Sequence, residues 1–390
     1  MRKGWEYKKL GEICSSDLGK TLNKSKDVGN MHPYLCAINI LWDSIDLTTL
    51  KEACFKDDEI DRYTVKYGDL LVCEGGDTGR AAIWDRKEPI LYQNALHRLR
   101  FKEDVDARFI MYNLWHKKQI GEIDHKYSKG VTILHLVKSA LLSIPILLPP
   151  LSTQLAIVSE LDKINELIRL KKEQLKDFDN LAQSLFYEMF GDPVENEKGW
   201  EVKKLGEICT DITDGDHMPP PKSESGIPFI TISDIDKDTR CLNFENTFYV
   251  PEDYYNNLKE NRKPQKGDLL YTVTGSYGIP VLVKTDKKFC FQRHIALLRP
   301  DKEILSAIFL CYWVLSDGVK FMADKVATGI AQKTVGLNSI RRFSCILPPL
   351  PLQRFFAQRI EQIEREKSEV QKSIQDLETL LASRMQYWFE

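Results

Sequence analysis

The chain has 390 residues, of which 43% are hydrophobic and 29% charged, a composition typical of globular proteins with room for two or three domains. Its formal net charge of −2 excludes a whole-chain attraction for nucleic acid, so any DNA-binding charge has to be local. No run approaches the roughly 18–20 consecutive apolar residues of a membrane span, and the nine cysteines include no CxxC pair, so we expect a cytoplasmic protein without a signal peptide, membrane anchor, disulfide framework or zinc ribbon.

The first segment, residues 1–150, mixes short β-like runs with short helices. Apolar runs at 69–73 and 144–148 are bounded by Gly, Pro and Asp, which is typical of strands. Residues 107–118 have the apolar spacing of a helix. We therefore predict an α+β globule for this segment.

The next segment, residues 151–198, changes to one long helix followed by a linker. Its apolar residues recur in steps of four and three, which is the a/d spacing of a coiled coil. The predicted seam consists of Ile157, Leu161, Ile164, Ile168, Lys171, Leu175, Phe178, Ala182, Leu185 and Met189.

Residues 199–350 repeat the first globule. The opening GWEYKKLGEIC returns as GWEVKKLGEIC with ten identities in eleven positions, YGDLLV returns as KGDLLY, and PPLSTQ returns as PPLPLQ. Such internal self-similarity indicates a duplicated structural unit. The parts between these landmarks, 15–66 and 210–265, share little, which favours one scaffold with two different specificities. Runs at 228–232 and 269–274 predict strands, and 304–315 predicts a helix.

The last segment, residues 351–390, repeats the long helix. Its predicted seam consists of Phe356, Ile360, Ile363, Lys367, Val370, Ile374, Leu377, Leu381, Arg384 and Trp388. A helix of nearly forty residues spans roughly 55 Å. We predict that the two helices pair as an antiparallel coiled coil, with the two globules related by an approximate two-fold axis.

Three basic residues, Lys171, Lys367 and Arg384, interrupt these seams. A polar residue at an a or d position specifies pairing register, whereas a long basic side chain also reaches solvent from an exposed stretch. The sequence leaves both interpretations open. The aromatic residues at 385–389 likewise either dock a partner or pack on the first globule.

The tandem arrangement resembles a known family over the whole chain. Two globules each opened by WExKKLGEI, with GDLL in the middle and PPLxxQ before a long helix, are similar to the specificity (S) subunit of type I restriction-modification systems. The run DGDHMPPP at 214–221 resembles the DG-x-H-x-x-P opening of that family's recognition domains, and 327–350 resembles the family's closing segment.

The resemblance implies a function and partners. Residues 1–150 and 199–350 would be two target recognition domains, each reading one half of a bipartite, asymmetric DNA sequence. Segments 151–198 and 351–390 would be spacer helices that set the distance between them. The implied partners are double-stranded DNA, two adenine methyltransferase (M) subunits and, through the complex, restriction and translocation (R) subunits.

Glycine-containing loops with polar and basic residues suit both phosphate and base contacts. They occur at 75–80 and 128–130 in the first globule, and at 214–222, 272–278 and 328–333 in the second. The alternative is an ordinary turn, because Gly is the usual residue where φ is positive. The candidate DNA-binding residues are Thr78, Arg80, Ser128, Lys129, His217, Lys222, Thr274, Ser276, Tyr277, Gln332 and Lys333. For Arg98, Arg293 and His294 a structural role is at least as well supported.

Catalytic and metal sites are not predicted. His217 has no second His or Cys at ligand spacing, and GKT at 19–21 lacks the first Gly of a P-loop because Cys14 stands there. Neither Pro-Pro pair follows the Asn or Asp that adenine methyltransferases use, and no acidic-x-Lys follows 300–301 to complete a nuclease site. We expect no cofactor and no activity from this chain alone. Two other functions stay open: an orphan or decoy that binds methyltransferase subunits without a functional target, and an enzyme with an unrecognised site.

Overall fold

The computed structural model describes residues 4–23, 27–130, 132–217, 220–329 and 332–390. It divides into two compact units, one formed by Met1–Lys172 with Lys372–Glu390 and the other by Glu173–Gln371. Both divisions fall inside long helices, so each unit combines one globule with part of both helices. The segment ends predicted at 150, 198 and 350 therefore differ from the ends of the compact units.

The first half of the chain contains short strands and helices followed by one long helix. A 3-10 turn lies at Ala37–Asn39 and a π-helical turn at Ile123–Tyr127. The strands and α-helices are β1 (Glu6–Lys9), α1 (Leu10–Ile13), β2 (Cys14–Leu18), β3 (Asn30–Leu35), β4 (Ile40–Leu41), β5 (Ser44–Ile45), β6 (Lys51–Phe55), α2 (Asp57–Ile60), β7 (Thr64–Val65), β8 (Leu70–Cys73), β9 (Ala81–Ile83), β10 (Ile90–Tyr92), β11 (Leu96–Phe101), α3 (Ala107–Gln119), α4 (Lys138–Leu142), β12 (Pro145–Leu148) and α5 (Leu151–Phe190).

A four-stranded antiparallel sheet with the order β2-β11-β8-β9 forms the centre of the first globule. Every residue of β8 is buried, as expected for a central strand covered on both faces. A second sheet has the order β6-β3-β10-β7, in which β3 and β10 are parallel. Leu35 of the second sheet and Leu71 of the first belong to one apolar cluster, so the two sheets share a core.

The second half repeats this order of elements. Its strands and α-helices are β13 (Glu201–Lys204), α6 (Leu205–Ile208), β14 (Cys209–Asp214), β15 (Ile227–Ile230), β16 (Ile235–Asp236), β17 (Cys241–Leu242), β18 (Phe248–Val250), α7 (Glu252–Asn256), β19 (Leu269–Thr272), β20 (Pro280–Leu282), β21 (Cys290–Phe291), β22 (Ile295–Pro300), α8 (Ala307–Leu315), α9 (Asp317–Val326), α10 (Leu337–Arg341), β23 (Ser344–Leu347) and α11 (Leu350–Phe389).

The second globule also has a central antiparallel sheet, with the order β14-β22-β19-β20, and a smaller sheet with the order β18-β15-β21. The predicted strands occur as β8, β12, β15 and β19, and the predicted short helices occur as α3 and α8. The α+β class and the tandem repeat are confirmed. Helix α9 was not predicted from the sequence, and the first globule has the π-helical turn at the corresponding place in the chain.

The repeated GDLL motif contains a buried carboxylate that holds an arginine. Asp69 accepts hydrogen bonds from Nε and Nη2 of Arg100 at 2.7 and 2.6 Å. Asp268 holds Arg299 in the same way at 2.9 and 2.8 Å. Bidentate pairs of this kind are directional as well as strong. Each pair ties the start of β8 or β19 to the neighbouring central strand.

The repeated PPLxxQ motif contains a buried glutamine that anchors the long helix to its globule. The Gln154 amide donates to the carbonyl oxygens of Pro149 and Asp104 at 2.9 and 3.1 Å, and its Oε1 accepts from the backbone N–H of Asp106. Gln353 makes the matching contacts with Pro348, Ile304 and Ser306. Asp106 and Ser306 precede α3 and α8, so the motif fixes those helices against α5 and α11.

The two long helices each have 40 residues, about 60 Å at 1.5 Å per residue. Most of the predicted seam is buried or partly buried. In the last two turns of each helix, the most deeply buried residues are not those of the predicted seam. There Phe186, Phe190, Met385 and Phe389 are buried, while Leu185, Met189 and Trp388 are only partly so. The spacing changes to steps of four because these turns pack on globular helices: Phe190 contacts Phe309, and Phe389 contacts Phe109.

Contacts within each unit give the helices opposite directions. In the first unit Glu160 pairs with Arg384, and Lys172 pairs with Glu378 at 2.8 Å. Later residues of α5 therefore pair with earlier residues of α11. In the second unit Asp179 pairs with Lys367 at 2.8 Å, and Phe190, further along α5, contacts Phe356, which comes earlier in α11. The seam residues Lys367 and Arg384 thus form ion pairs between helices, which favours the register interpretation over solvent exposure. Within the described ranges, no helix is long and apolar enough to cross a membrane.

Candidate nucleic-acid interface

Loops from distant parts of the first globule meet at one end of its central sheet. Strands β2 and β8 end there, and β9 and β11 begin there, because neighbouring strands are antiparallel. The backbone N–H of Glu74 donates to Ala95 at 2.8 Å, and that of Leu136 donates to Glu74 at 2.7 Å. Lys129 and His135 exchange backbone hydrogen bonds at 2.9 and 2.8 Å. The loops predicted at 75–80 and 128–130 therefore lie side by side.

The second globule has the same arrangement. Val273 donates to His294 at 2.9 Å and Val335 donates to Val273 at 2.9 Å. Thr328 and Thr334 exchange backbone hydrogen bonds at 3.0 and 2.7 Å. The loops predicted at 272–278 and 328–333 therefore also meet. Met218, Pro219, Ile330 and Ala331, which belong to the predicted loops, lie outside the described residues.

Glycine is required in the loop after β2 and in the loop after β14, where each backbone passes close to the segment that precedes β11 or β22. A Cβ atom on Gly19 would lie 2.2 Å from the carbonyl oxygen of Gln93, and one on Gly215 would lie 2.0 Å from that of Phe291. The glycines inside the predicted loops, such as Gly79 and Gly275, have positive φ. The ordinary turn explanation accounts for these glycines, so the functional argument depends on the side chains beside them.

Six of the candidate side chains are exposed at this end of the sheets. One of them, His217, contacts Asp214 at 2.9 Å. Lys222 lies 4.9 Å from the centre of the Phe248 ring, a cation–π contact that leaves its charge available. The exposed candidates are Lys129, His217, Lys222, Ser276, Gln332 and Lys333.

Three candidates in the first globule, Thr78, Arg80 and Ser128, are used internally. Thr78 has 0% of its surface exposed, and its hydroxyl donates to Asp124 at 2.8 Å. Arg80 donates to the carbonyl oxygen of Ala37 at 2.9 Å and lies 3.6 Å from Asp77. The Thr78 side chain is therefore held inside the loop in this structure, and Arg80 and the half-buried Ser128, which donates to Thr78 at 3.2 Å, support the loop. Direct DNA contact by these residues stays a prediction.

Two candidates in the second globule are also engaged. Thr274 is buried, and its hydroxyl accepts a hydrogen bond from Thr334 at 3.3 Å. The Tyr277 hydroxyl donates to Asp324 at 2.6 Å, and this hydrogen bond raises the pKa of Tyr277. The Thr274 side chain joins two loops in this structure, and its contact with DNA stays a prediction. Tyr277 ties its loop to α9.

Sequence reasoning did not identify Lys237 as part of this surface. Its Nζ donates to the Ser276 hydroxyl at 3.1 Å from the β16–β17 turn. No motif marked it, since the turn lies far from Ser276 in sequence. Arg293, left open above, is exposed beside His294, whereas Arg98 is buried against Asp17 and the carbonyl oxygen of Thr64 and is structural.

A buried histidine beneath the first interface predicts a pH effect. His97 contacts the carbonyl oxygen of Leu136 through Nε2 at 2.9 Å, while its buried Nδ1 has no hydrogen-bond partner among the residues that the structure describes. Burial lowers the pKa of His97 below its usual value. Protonation would leave a buried N–H without an acceptor, so the folded state favours the neutral ring.

We therefore expect the first globule to lose stability as the pH falls below about 6.5, where the unfolded state takes up the proton first. Above that pH the contribution is complete. The measurement is urea unfolding at pH 7.5 and 5.5 for the wild type and His97→Gln, which keeps a donor for Leu136. Burial also lowers the pKa of His116, so the variant should keep a smaller dependence of stability on pH. An equal loss of stability between pH 7.5 and 5.5 in the two proteins would contradict the role of His97.

Comparison with known proteins agrees with this architecture. The family model described as type I restriction modification DNA specificity domain matches residues 2–177 and again 197–379. The chain is 23% identical over 408 residues to a putative type I restriction enzyme MjaX specificity subunit of Methanocaldococcus jannaschii, which covers 97% of this chain and 92% of that protein. It is 24% identical over 340 residues to the type I restriction enzyme EcoBI specificity subunit of Escherichia coli, covering 80% and 70% of the two chains.

Solved structures share the fold. A chain from a study of complex assembly and conformational transition in the type I R-M system superposes with a TM-score of 0.61 at 19% identity, over 100% of this chain and 98% of that one. The S subunit from M. genitalium superposes with a TM-score of 0.52 at 14% identity, over 99% and 96%. With two family matches that together span most of its length, the chain belongs to the type I restriction-modification DNA specificity family.

Proposed function

We propose that the chain is the non-catalytic specificity subunit of a type I restriction-modification complex, with two recognition domains that read the halves of an asymmetric, bipartite DNA target. The observation that carries this proposal is the repeated loop cluster at the end of each central sheet. Exposed basic and amide side chains lie on that cluster, where contacts to phosphates and to base edges are both available.

Differences between matched loop positions support two different half-sites. Lys129 takes part in the same backbone pairing as Thr328, and Leu136 in the same pairing as Val335. By this match Ile133, with 59% of its surface exposed, stands where the second globule has Gln332. A glutamine amide suits adenine, whereas an apolar side chain suits the thymine methyl group. The two clusters therefore offer different chemistry to the bases.

The long helices supply the spacing and the partner surface in this proposal. Each helix keeps exposed apolar residues outside the seam, and such residues on a paired helix suit protein contacts. In the first unit these residues are Leu155, Leu167, Leu170 and Leu380, and in the second they are Leu181 and Phe355. We propose that two adenine methyltransferase subunits dock there and that restriction subunits join through them.

Methylome sequencing tests the proposal directly. A host expressing this chain with its neighbouring methyltransferase is compared with the same host lacking this chain. The expected result is a split adenine-methylated motif that appears only when the chain is present. Methylation that does not depend on the chain would contradict the specificity function and favour an orphan or decoy that binds methyltransferase without a target.

Lysine substitutions at the loop clusters test the DNA contacts. We expect Lys333→Ala, and separately Lys129→Ala, to weaken binding of the methyltransferase complex to its target by about 1 kcal/mol, roughly fivefold. Because one phosphate contact is lost, the slope of log affinity against log salt should fall by about one. Fluorescence anisotropy across a salt series measures both quantities.

Lys302→Ala is the matched control. Lys302 is exposed beyond the far end of β22, away from the loop cluster. It should leave both affinity and salt slope unchanged. A Lys333→Ala variant indistinguishable from Lys302→Ala would remove the second cluster from the DNA interface.

A further inference from the structure

The second unit contains a cleft of about 590 Å³ among α8, β20, the β16–β17 hairpin and α11. Sites for small molecules typically have about 300–1,000 Å³ and a mostly apolar lining with a few polar groups. The apolar floor of this cleft includes Pro280, Leu282, Ile308, Tyr312, Leu315 and Ile360. None of the candidate DNA-binding residues lines this cleft, and of the predicted helix seam only Ile360 does.

The internal repeat identifies the matching place in the first unit. Gln154 and Gln353 bind the residues that precede α3 and α8, which aligns those helices. By this alignment Arg108, Tyr112 and Trp115 correspond to Ile308, Tyr312 and Leu315. The turns that follow β4 and β16 correspond as well, because Asp43 and Arg240 both have positive φ, 59° and 53°, just before the next strand. Trp42 then corresponds to Thr239.

The first unit fills this place with its own aromatic rings. Trp42 stacks on Trp115 with ring centroids 5.3 Å apart and an interplanar angle of 6°. Trp115 in turn stacks on Tyr112 at 6.0 Å and 6°. In the second unit threonine and leucine replace both indole rings, and only Tyr312 remains of the stack. The cleft is the space that two indole side chains occupy in the other copy.

The polar edge of the two places also differs. In the first unit Asp162 accepts hydrogen bonds from the Tyr112 hydroxyl at 2.8 Å and from Nε of Arg108 at 3.0 Å. Glu361, eight residues after Gln353 as Asp162 is after Gln154, lines the cleft. Within the described ranges neither the Glu361 carboxylate nor the Tyr312 hydroxyl has a hydrogen-bond partner. The second copy therefore keeps the acceptor and the tyrosine, but Ile308 replaces the guanidinium donor of Arg108.

We propose that the cleft binds a planar bicyclic aromatic molecule with an N–H donor on its edge, of the indole type. Its ring stacks on Tyr312 as Trp115 stacks on Tyr112, and its N–H donates to Glu361 as Arg108 donates to Asp162. The apolar floor covers the other edge of the ring. Four basic residues line the cleft. Arg240 pairs with Asp179 at 2.9 Å and Lys284 pairs with Glu364 at 3.3 Å. Lys266 and Arg365 form no ion pair with Glu361 among the described residues.

Indole itself is the first probe, titrated into the full chain with binding followed by ligand-observed NMR. We expect saturable binding at millimolar or lower concentrations. 1-Methylindole, which lacks the N–H donor, should bind about threefold more weakly, the value of one modest hydrogen bond. Leu315→Trp restores the indole of the first copy and should reduce indole binding at least tenfold.

Two further variants keep the test decisive. Thermal unfolding shows whether Leu315→Trp is folded. If it is not, Ala357→Leu replaces it in the test, because this change narrows the cleft from α11 and should also weaken indole binding. Trp42→Thr with Trp115→Leu should open the matching place in the first unit and add a second equivalent of bound indole. Absence of saturable binding, binding unchanged in Leu315→Trp, or equal binding of 1-methylindole would overturn the proposal.

Discussion

Replacing Asp268 with leucine is expected to destabilise the second unit by about 3 kcal/mol. Asp268 is 2% exposed and accepts both Arg299 hydrogen bonds as well as the backbone N–H of Gln265 at 2.8 Å. Removing the carboxylate leaves a mostly buried guanidinium whose remaining counter-charge is the more distant Asp211, at 3.6 Å. The loss is at the lower end for a buried pair because Arg299 keeps a hydrogen bond to the carbonyl oxygen of Lys263 at 2.9 Å.

Hydrogen exchange measured by mass spectrometry localises this effect. Amides of β19 and β22 should exchange faster in Asp268→Leu, while those of β8 and β11 should not change. The control is Asp268→Leu with Arg299→Leu, which removes both charges and should recover much of the stability, because an apolar replacement leaves no unpaired charge. A single variant as stable as the double variant would show that the unpaired charge of Arg299 is not the cause of the loss, and a single variant as stable as the wild type would show that the pair contributes nothing to the fold.

The sequence predicts the positions of the globules and long helices better than it predicts the contacts that the repeated motifs make. The repeats locate both globules, and the spacing of apolar residues locates both long helices. The function of GDLL and PPLxxQ was not predictable, because the partners of Asp69 and Gln154 are separated from them by about 31 and 48 residues along the chain. Their conserved spacing between the two copies of the repeat was the available signal.

The candidate DNA-binding residues show the same division. Loop composition selects loops that lie together at the sheet end in the structure, although the sequence did not predict that they meet. It does not separate side chains that are free to contact DNA from those already hydrogen-bonded within the protein. The Thr78 hydroxyl donates to Asp124 and the Tyr277 hydroxyl donates to Asp324, and both carboxylates are distant in sequence from their donors. Such hydrogen bonds depend on the fold of a neighbouring segment, the π-helical turn in one globule and α9 in the other.

The helix seam was predictable except at its ends. Steps of four and three describe helices that contact each other, and a straight helix drifts from that spacing by about 20° per heptad. At 186–190 and 385–389 globular helices add contacts, since Phe190 packs on Phe309 as well as on Phe356 and Phe389 packs on Phe109, so a straight helix with steps of four suits these turns better. Phe186 and Met385 are buried for this reason. The C-terminal aromatics divide accordingly, with Phe389 packed on Phe109 and Tyr387 exposed.

Deleting one heptad from both long helices is expected to shorten the unread gap of the DNA target by about 3 base pairs. Seven residues correspond to about 10 Å of helix, and B-DNA rises about 3.4 Å per base pair. The deletions 171–177 and 370–376 preserve the spacing of the seam, joining Ile168 to Phe178 and Lys367 to Leu377 in steps of the same size. Seven residues are also close to two full turns, so the helix faces keep their orientation.

The ion pairs at both ends support this choice of residues. Glu160 with Arg384 and Asp179 with Lys367 lie outside the deleted segments and stay in register, whereas Lys172 with Glu378 loses one partner. Methylome sequencing should then report the same two half-sites with a shorter gap. Deleting 171–177 alone misaligns the seam and should abolish modification. If the helices only set the distance, both loop clusters stay intact and the half-site bases should not change. Altered half-site bases in the double deletion would mean that the helices also contribute to reading the sequence.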